Sequence, residues 1–153
     1  IVHGSMVSGG TLETNMGRHP SDRIKMAVLE RGGREAITHY RIHERFEAHT
    51  HLRVQLETGR THQIRVHMAH IKRPLIGDAT YGGDVVRGRG MDETLRATLK
   101  AFPRQALHAR ALELEHPVSG KLMNWSVEPP RDMQDLLRVL REHTAAQIAA
   151  ARP

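Results

Sequence analysis

The residues best suited to chemistry lie in one short run, LETGRTHQIRVHMAH, from Leu56 to His70. The run holds two arginines and three histidines around a single glycine, and Glu57 is its one carboxylate. Backbone N–H groups are free at the start of a helix and attract anions. If a helix begins within this run, Thr61, His62 and Gln63 lie at such a positive end. The run therefore points to a negatively charged partner.

Arg65 is the central cation of this run. It follows His62 by three residues, so the two side chains share one face of the expected helix. Ile64, Met68 and Ile71 recur at helical spacing and form an apolar stripe, which places Arg65 at the edge of a core. A guanidinium in that position needs a carboxylate or a phosphate. The spacing fits two interpretations, a functional cation or an ordinary buried ion pair that closes a junction between a strand and a helix.

The histidines raise the alternative of a metal site. His67 and His70 are three residues apart, and His49 and His51 share one face of a predicted strand. The chain has no His-Glu-x-x-His pattern and few carboxylates near these positions, so the sequence predicts no metal site. It also lacks a Gly-x-Ser-x-Gly turn and the glycine patterns that bind nucleotide phosphates. GGDVVRGRG, residues 82–90, has neither the preceding strand nor the lysine that such a pattern needs.

Composition and charge limit the partners. The chain has 153 residues, enough for one domain or part of one, and its net charge is +6. An excess of basic side chains favours a polyanion, because binding to phosphates releases condensed counterions. There is no cysteine, which makes a cytoplasmic location the default expectation. No apolar run approaches the roughly 20 residues that cross a bilayer, so we expect no membrane partner.

Periodicity predicts the elements that must position the run. Alternation indicates strands at residues 36–44 and 51–57, and the second should turn Leu52, Val54 and Leu56 inward. Thr61 is expected to cap a helix that reaches about Lys72. Pro74 then ends that helix.

Further elements follow on both sides. Asp92 is expected to cap a second helix, which buries Leu95 and Leu99, and a third begins near Asp132 with an Ala-rich end that frays or projects. The turn signal HPVSG joins two strands, at residues 107–115 and 121–127. Residues 1–35 should be irregular, with short strands and a basic loop that faces RNA. The order predicts an α+β fold with antiparallel pairing.

These segments together resemble a known family. LETGRTHQIRVHMAH followed by PLIGDATYGG is similar to a conserved motif of the RluA/RluD family of RNA pseudouridine synthases. ITHYR, RQALHA, HPVSGK and PPRDMQDLL flank it in the family's order, so the resemblance covers nearly the whole chain. It is greatest for the large-subunit ribosomal RNA pseudouridine synthase D type. The resemblance implies a mixed, largely antiparallel sheet with flanking helices, and isomerisation of uridine to pseudouridine without a cofactor or a metal.

The resemblance also implies roles for residues. In the family the target base is flipped into a pocket, where an aspartate acts as the nucleophile. Arg65 corresponds to the arginine that pairs with this aspartate and keeps it ionised. Residues expected to bind RNA or the substrate uridine are Arg18, Arg23, Lys25, Arg60, Thr61, His62, Gln63 and Ile64.

One departure from the family affects activity. The nucleophile belongs to a His-Arg-Leu-Asp motif, which these 153 residues do not contain, and neither Tyr40 nor Tyr81 corresponds to the tyrosine that packs on the target base. We therefore expect residues 1–153 to be the C-terminal portion of a catalytic domain and to be inactive alone. An exposed sheet edge and apolar face should make this portion a homo-oligomer. The alternative function is a non-catalytic RNA-binding module.

Overall fold

The computed structural model describes residues 1–86 and 90–151. Within these ranges the chain forms strands and three helices, and every strand pairing is antiparallel. The α+β prediction is confirmed. The elements are β1 (Val2–His3), β2 (Gly10–Arg18), β3 (Met26–Leu29), β4 (Arg34–Arg45), β5 (His49–Leu56), α1 (Gln63–His70), α2 (Glu93–Ala101), β6 (Ala111–Glu115), β7 (Leu122–Ser126) and α3 (Arg131–Ala150).

Five strands form the main sheet, in the order β1-β5-β4-β2-β3. Its central strand, β4, confirms the prediction for residues 36–44 and extends it at both ends. Ala36 and Thr38 are completely buried on the face that packs against α1, whereas Arg41 on the other face is exposed. A bulge between Ile42 and Glu44 interrupts the pairing with β5. The alternation of β4 thus turns one face to the core and one to water.

β5 shows where burial departs from the strand pattern. The strand is present, and Leu52 packs into the core as predicted. Leu56 is 41% exposed, so its predicted inward burial is wrong. The reason is its place in the sheet, because β1 covers only the beginning of β5, at His49 and Thr50. The far end of β5 is therefore an edge of the sheet, because it pairs with β4 on one side and β1 does not reach it on the other.

The first 35 residues are more regular than predicted. β2 is a strand of nine residues, paired with β3 and β4, and the basic loop of residues 19–25 joins β2 to β3. Leu12 and Met16 face the core, and Thr14 between them also points inward. The Oγ1 of Thr14 lies 2.8 Å from Nε2 of His67. A polar residue on the buried face hid the strand pattern in the sequence.

The second and third helices build a separate apolar core. Asp92 caps α2 as predicted, because its side chain accepts a hydrogen bond from the backbone N–H of Leu95 at 2.7 Å. α3 packs on α2 and stays helical to Ala150, so its Ala-rich end does not fray, and Ile148 near that end is 55% exposed, as expected for an end that projects. None of the described helices is long and apolar enough to cross a membrane. The predicted apolar stripe of α3 is buried, at Met133, Leu136, Leu137 and Leu140.

The hairpin of β6 and β7 stands apart from the main sheet. Both predicted strands are present, although the first begins at Ala111 and not at residue 107. Register pairs Leu112 with Trp125 and Leu114 with Met123, so these four side chains share one face. Leu112 is 57% exposed and Trp125 is 48% exposed. The hairpin therefore presents an uncovered apolar face.

Candidate functional site

The site is built around the first turn of α1. This helix begins at Gln63 without a side-chain cap, so the predicted cap at Thr61 is wrong, and it ends at His70, before Lys72. The residue at the N-cap is His62, whose φ of 57° and ψ of 22° are left-handed. A residue other than glycine is strained there by about 1–3 kcal/mol and needs other contacts to hold it.

Buried hydrogen bonds of Gln63 help to hold this strained turn in place. Its Oε1 accepts hydrogen bonds from Oγ1 of Thr58 at 2.8 Å and from the backbone N–H of Arg60 at 2.9 Å. Its Nε2 donates to the carbonyl of Ile37 and to Oγ1 of Thr38. The residue is only 2% exposed. We expected Gln63 to bind RNA, but the structure uses its amide to fix the turn before α1 against β4.

Arg65 finds a carboxylate within this chain, which is Asp78. Nε and Nη2 of Arg65 donate to the two carboxylate oxygens, each at 2.8 Å. The Asp78 side chain is fully buried, and that of Arg65 is 13% exposed. Hydrogen bonding to Asp78 raises the pKa of Arg65, while burial opposes that rise. The ordinary ion pair that the spacing allowed is thus present, with a partner that the sequence pattern did not indicate.

Asp78 also organises the loop that follows α1. Its Oδ1 accepts the backbone N–H groups of Thr80 and Tyr81, each at 3.2 Å. A Cβ added to Gly83 would lie 1.7 Å from the carbonyl oxygen of Leu75, so only glycine fits there. An aspartate in a turn typically accepts hydrogen bonds from the backbone N–H groups two and three residues further along the chain. The presence of an aspartate in this turn was the one signal for Asp78 in the sequence. The loop at residues 75–83 is therefore fixed in place beneath Arg65.

Tyr81 joins three parts of the site. The guanidinium carbon of Arg65 lies 5.0 Å from the centre of the Tyr81 ring, a cation–π contact. The Tyr81 hydroxyl accepts the backbone N–H of Met26 at 3.0 Å and lies 2.8 Å from Nδ1 of His62. Burial lowers the pKa of His62, as does the charge of Arg65, against an opposing effect of Asp78. One tyrosine thus connects β3, the start of α1 and the loop.

The other predicted binding residues flank this centre. Arg60 donates from Nε to the carbonyl of Glu35 at 2.8 Å, which leaves it on the turn before α1. Arg18, the last residue of β2, donates to the carbonyl of Arg23 in the basic loop, and Lys25 pairs with Asp22 at 3.3 Å. Because Met26 bonds to Tyr81, the end of this loop is tied to the site. Thr61 is exposed, whereas Ile64 packs partly buried against the core.

Two further histidines, His67 and His49, lie in the interior. The ring nitrogens of His67 each lie 2.8 Å from a threonine hydroxyl, on Thr14 and Thr38, and burial lowers the pKa of His67. Burial, followed by the charge of His3, lowers the pKa of His49 to about 4. In the ranges 1–86 and 90–151, no three side chains of metal-ligand type come together. Part of GGDVVRGRG, residues 87–89, lies outside the described residues.

The sequence is similar to known proteins along nearly the whole chain. The profile of a family described as RNA pseudouridylate synthase matches residues 1–70. Ribosomal large subunit pseudouridine synthase D of Xanthomonas campestris pv. campestris is 54% identical over 152 residues, which are 99% of this chain and 46% of that protein. The synthase of the same name from Pseudomonas aeruginosa is 54% identical over 148 residues, 97% of this chain and 46% of that protein. The chain thus spans just under half the length of these relatives.

Solved structures carry the comparison to the fold. Human RNA pseudouridylate synthase domain containing 4 superposes with a TM-score of 0.65 at 25% identity, over 92% of this chain and 59% of that one. Human RNA pseudouridylate synthase domain containing 1 superposes with the same TM-score at 22% identity, over 99% of this chain and 64% of that one. At this identity the match supports the fold alone. With more than half of its residues shared with synthases over nearly its whole length, the chain belongs to the RluA/RluD family of RNA pseudouridine synthases.

Proposed function

We propose that the protein converts uridine to pseudouridine in large-subunit ribosomal RNA, and that residues 1–153 supply the arginine side of its active centre. The observation that carries this proposal is the fixed guanidinium of Arg65, held by Asp78 and Tyr81 at the first turn of α1. The names of the relatives support the reaction and its substrate. Ribosomal RNA as substrate also supports a cytoplasmic location.

Arg65 has one amino group to offer to a second carboxylate. Nε and Nη2 are occupied by Asp78, and Nη1 makes no hydrogen bond to any residue in the described part of the chain. A guanidinium beside an aspartate lowers the pKa of that aspartate and so maintains the anion that acts as nucleophile. The proposed role of Arg65 is to bridge two carboxylates, of which Asp78 is the structural one.

Asp78 is a poor candidate for the nucleophile itself. Both of its oxygens accept hydrogen bonds from Arg65, and Oδ1 accepts two more from the backbone. Its side chain has no exposed surface through which to reach a ribose. The proposal therefore places the nucleophilic aspartate outside these 153 residues and assigns no activity to residues 1–153 alone.

Basic residues beside the site supply the expected contacts to RNA. Arg18, Arg23 and Lys25 lie on or next to the loop between β2 and β3, and Arg60 lies on the turn before α1. Each is expected to meet a phosphate, which positions the RNA without reading its sequence. RNA affinity should therefore fall steeply as salt is raised.

A chimera tests the catalytic proposal. Residues 1–153 are joined to the preceding portion of the Pseudomonas aeruginosa relative, incubated with transcribed large-subunit ribosomal RNA, and pseudouridine is measured by mass spectrometry of the digested RNA. The chimera should form pseudouridine, residues 1–153 alone should form none, and Arg65→Met should abolish the product in the chimera. Arg53→Met, which removes an exposed arginine from the other face of the sheet, is the control.

Three outcomes would count against the proposal. Product from residues 1–153 alone would contradict the assignment of the nucleophile. Equal activity of the Arg65→Met and Arg53→Met chimeras would contradict the role of Arg65. RNA binding by the chimera with no pseudouridine would favour the alternative, a non-catalytic RNA-binding module.

We also propose that residues 1–153 form a homo-oligomer in isolation. The edge strand β3 and the apolar face of the β6–β7 hairpin, with Leu112 and Trp125 exposed, support this. Size-exclusion chromatography with light scattering should give a mass above that of one chain. Leu112→Lys should lower that mass, and a clean monomer of the unsubstituted chain would contradict the proposal.

A further inference from the structure

The hydroxyl of Tyr81 has two neighbours within hydrogen-bond distance. The backbone N–H of Met26 can only donate, so at 3.0 Å it donates to the hydroxyl oxygen. The second neighbour is Nδ1 of His62, at 2.8 Å. Among residues 1–86 and 90–151, this nitrogen is the only acceptor within reach of the hydroxyl proton. A Tyr81 proton directed at His62 satisfies the hydroxyl and the ring nitrogen with one hydrogen bond.

That direction of the Tyr81 proton implies one tautomer of His62. A nitrogen that accepts a hydrogen bond carries no proton, so in neutral His62 the proton resides on Nε2. The left-handed backbone holds the ring in this contact, with its plane at 79° to the ring of Tyr81 and the ring centres 5.6 Å apart. Nε2 makes no hydrogen bond within the described ranges. His62 thus has one N–H donor without a hydrogen-bond partner in the described part of the chain, three residues before Arg65.

The groups around this donor define what it can bind. The acceptors that contact His62 and Arg65 are already occupied, because the Tyr81 oxygen takes the amide of Met26 and the Asp78 oxygens take four N–H groups. The site therefore offers donors and positive charge. A uracil edge carries an N–H between its two carbonyls and needs an acceptor, whereas a phosphate oxygen only accepts. The chemistry favours phosphate.

We propose that His62 donates a hydrogen bond from Nε2 to a backbone phosphate of the RNA, and that Tyr81 is the positioning residue that sets the tautomer for this contact. The inference rests on the proposed function in that RNA is the ligand. It adds a neutral donor beside the cation Arg65, which distinguishes His62 from the basic residues that neutralise phosphates.

The tautomer is tested without RNA or activity. Two-dimensional ¹⁵N–¹H spectra of the histidine rings in residues 1–153 should show His62 protonated at Nε2. Tyr81→Phe keeps the ring under Arg65 but removes the hydroxyl, and should give a mixture of tautomers. Tyr40→Phe is the matched control at the second tyrosine of the chain, and should leave the His62 signals unchanged. A proton on Nδ1, or no change in Tyr81→Phe, would overturn the assignment.

Two isosteric variants test the contact with RNA. His62→Asn keeps an amide near Nδ1 and tolerates the left-handed backbone, but it does not reach the position of Nε2. His62→Gln places an amide N–H at the Nε2 position. Binding of a uridine-containing oligonucleotide should weaken roughly tenfold in His62→Asn, as for one hydrogen bond to a charged group, and His62→Gln should recover most of the affinity. Circular dichroism checks that both variants fold.

Salt and base dependence separate the outcomes. Because His62 is neutral, its loss should leave the slope of log affinity against log salt unchanged, whereas Arg60→Gln should reduce that slope by about one. The His62→Asn effect should persist on an oligonucleotide that lacks the base at the uridine position. If the His62→Asn effect disappears on that oligonucleotide, His62 contacts the base, and the phosphate assignment is overturned. Equal affinity of His62→Asn and the unsubstituted chain would also overturn it. A chimera that binds RNA but forms no pseudouridine contradicts the catalytic proposal alone.

Discussion

The buried pair of Arg65 and Asp78 should dominate the stability of the site. Arg65→Met removes the cation and leaves a carboxylate with no exposed surface and only two backbone N–H partners, from Thr80 and Tyr81. Breaking a buried pair in this way costs about 3–5 kcal/mol, and Arg65→Met should lie at the upper end. Asp78→Asn should cost less within that range, because Arg65 retains some contact with water. Since whole domains are stable by about 5–15 kcal/mol, either loss is large.

Urea unfolding of residues 1–153, followed by circular dichroism, measures these losses. In the double variant, Arg65→Met with Asp78→Asn, no buried charge remains and the asparagine oxygen can still accept the two backbone amides. The double variant should therefore be more stable than the sum of the single losses predicts, by up to about 3 kcal/mol.

An exposed ion pair provides the matched control. Arg138 and Glu142 lie one helical turn apart on α3, 2.9 Å from each other, and both side chains are more than half exposed. Arg138→Met should cost less than about 1 kcal/mol, because water screens such pairs. If Arg65→Met costs no more than Arg138→Met, or if the two losses at the buried pair simply add, the reasoning about this pair is wrong.

Three smaller effects should follow from local contacts elsewhere. Asp92→Ala removes the cap on Leu95 and should cost about 1 kcal/mol by urea unfolding, and an unchanged midpoint would count against the cap. Arg53 on β5 is paired with Arg41 on the neighbouring strand β4, so two like charges lie side by side. Arg53→Glu should therefore stabilise the chain by about 0.5 kcal/mol at low salt. A gain in stability that persists in 1 M salt would show that the effect is not electrostatic. Burial is the main cause that lowers the pKa of His49 to about 4, so between pH 6.5 and pH 4 the unfolded chain binds a proton that the folded chain does not. The free energy of unfolding should therefore be highest above pH 6.5 and fall by about 1–3 kcal/mol toward pH 4. His49→Leu should show a shallower pH dependence of the urea midpoint over that range, and an equal slope would contradict this.

Local sequence signals predicted the elements whose contacts are local. Asp92 caps α2 through a residue three positions away, and α3 buries the stripe that its spacing indicates. Leu56 alternates correctly with Leu52, but its exposure depends on how far β1 extends along β5, which no local pattern contains. Thr14 interrupted the apolar alternation of β2, because its partner, His67, lies 53 residues further along the chain.

The site shows the same division between local and distant contacts. Residue types and spacing indicated the run from Leu56 to His70 and the need of Arg65 for an acidic partner. The partner itself was not indicated, since Asp78 lies 13 residues away, beyond the end of α1. The start of α1 was misplaced for a similar reason. Thr61 has the side chain of a capping residue, but the bonds that fix this turn come from Gln63 to β4 and from Tyr81 to His62.

The first turn of α1 is thus held from outside the helix. Its N-cap is strained, the helix supplies no cap of its own, and its cation is oriented by a loop that begins at residue 75. The geometry of Arg65 therefore depends on residues that need never touch RNA. Gly83 is the clearest of these, because any side chain there would collide with the Leu75 carbonyl and displace the turn that carries Asp78. A change at Gly83 should act on the site in the same direction as a change at Asp78, through the orientation of one guanidinium.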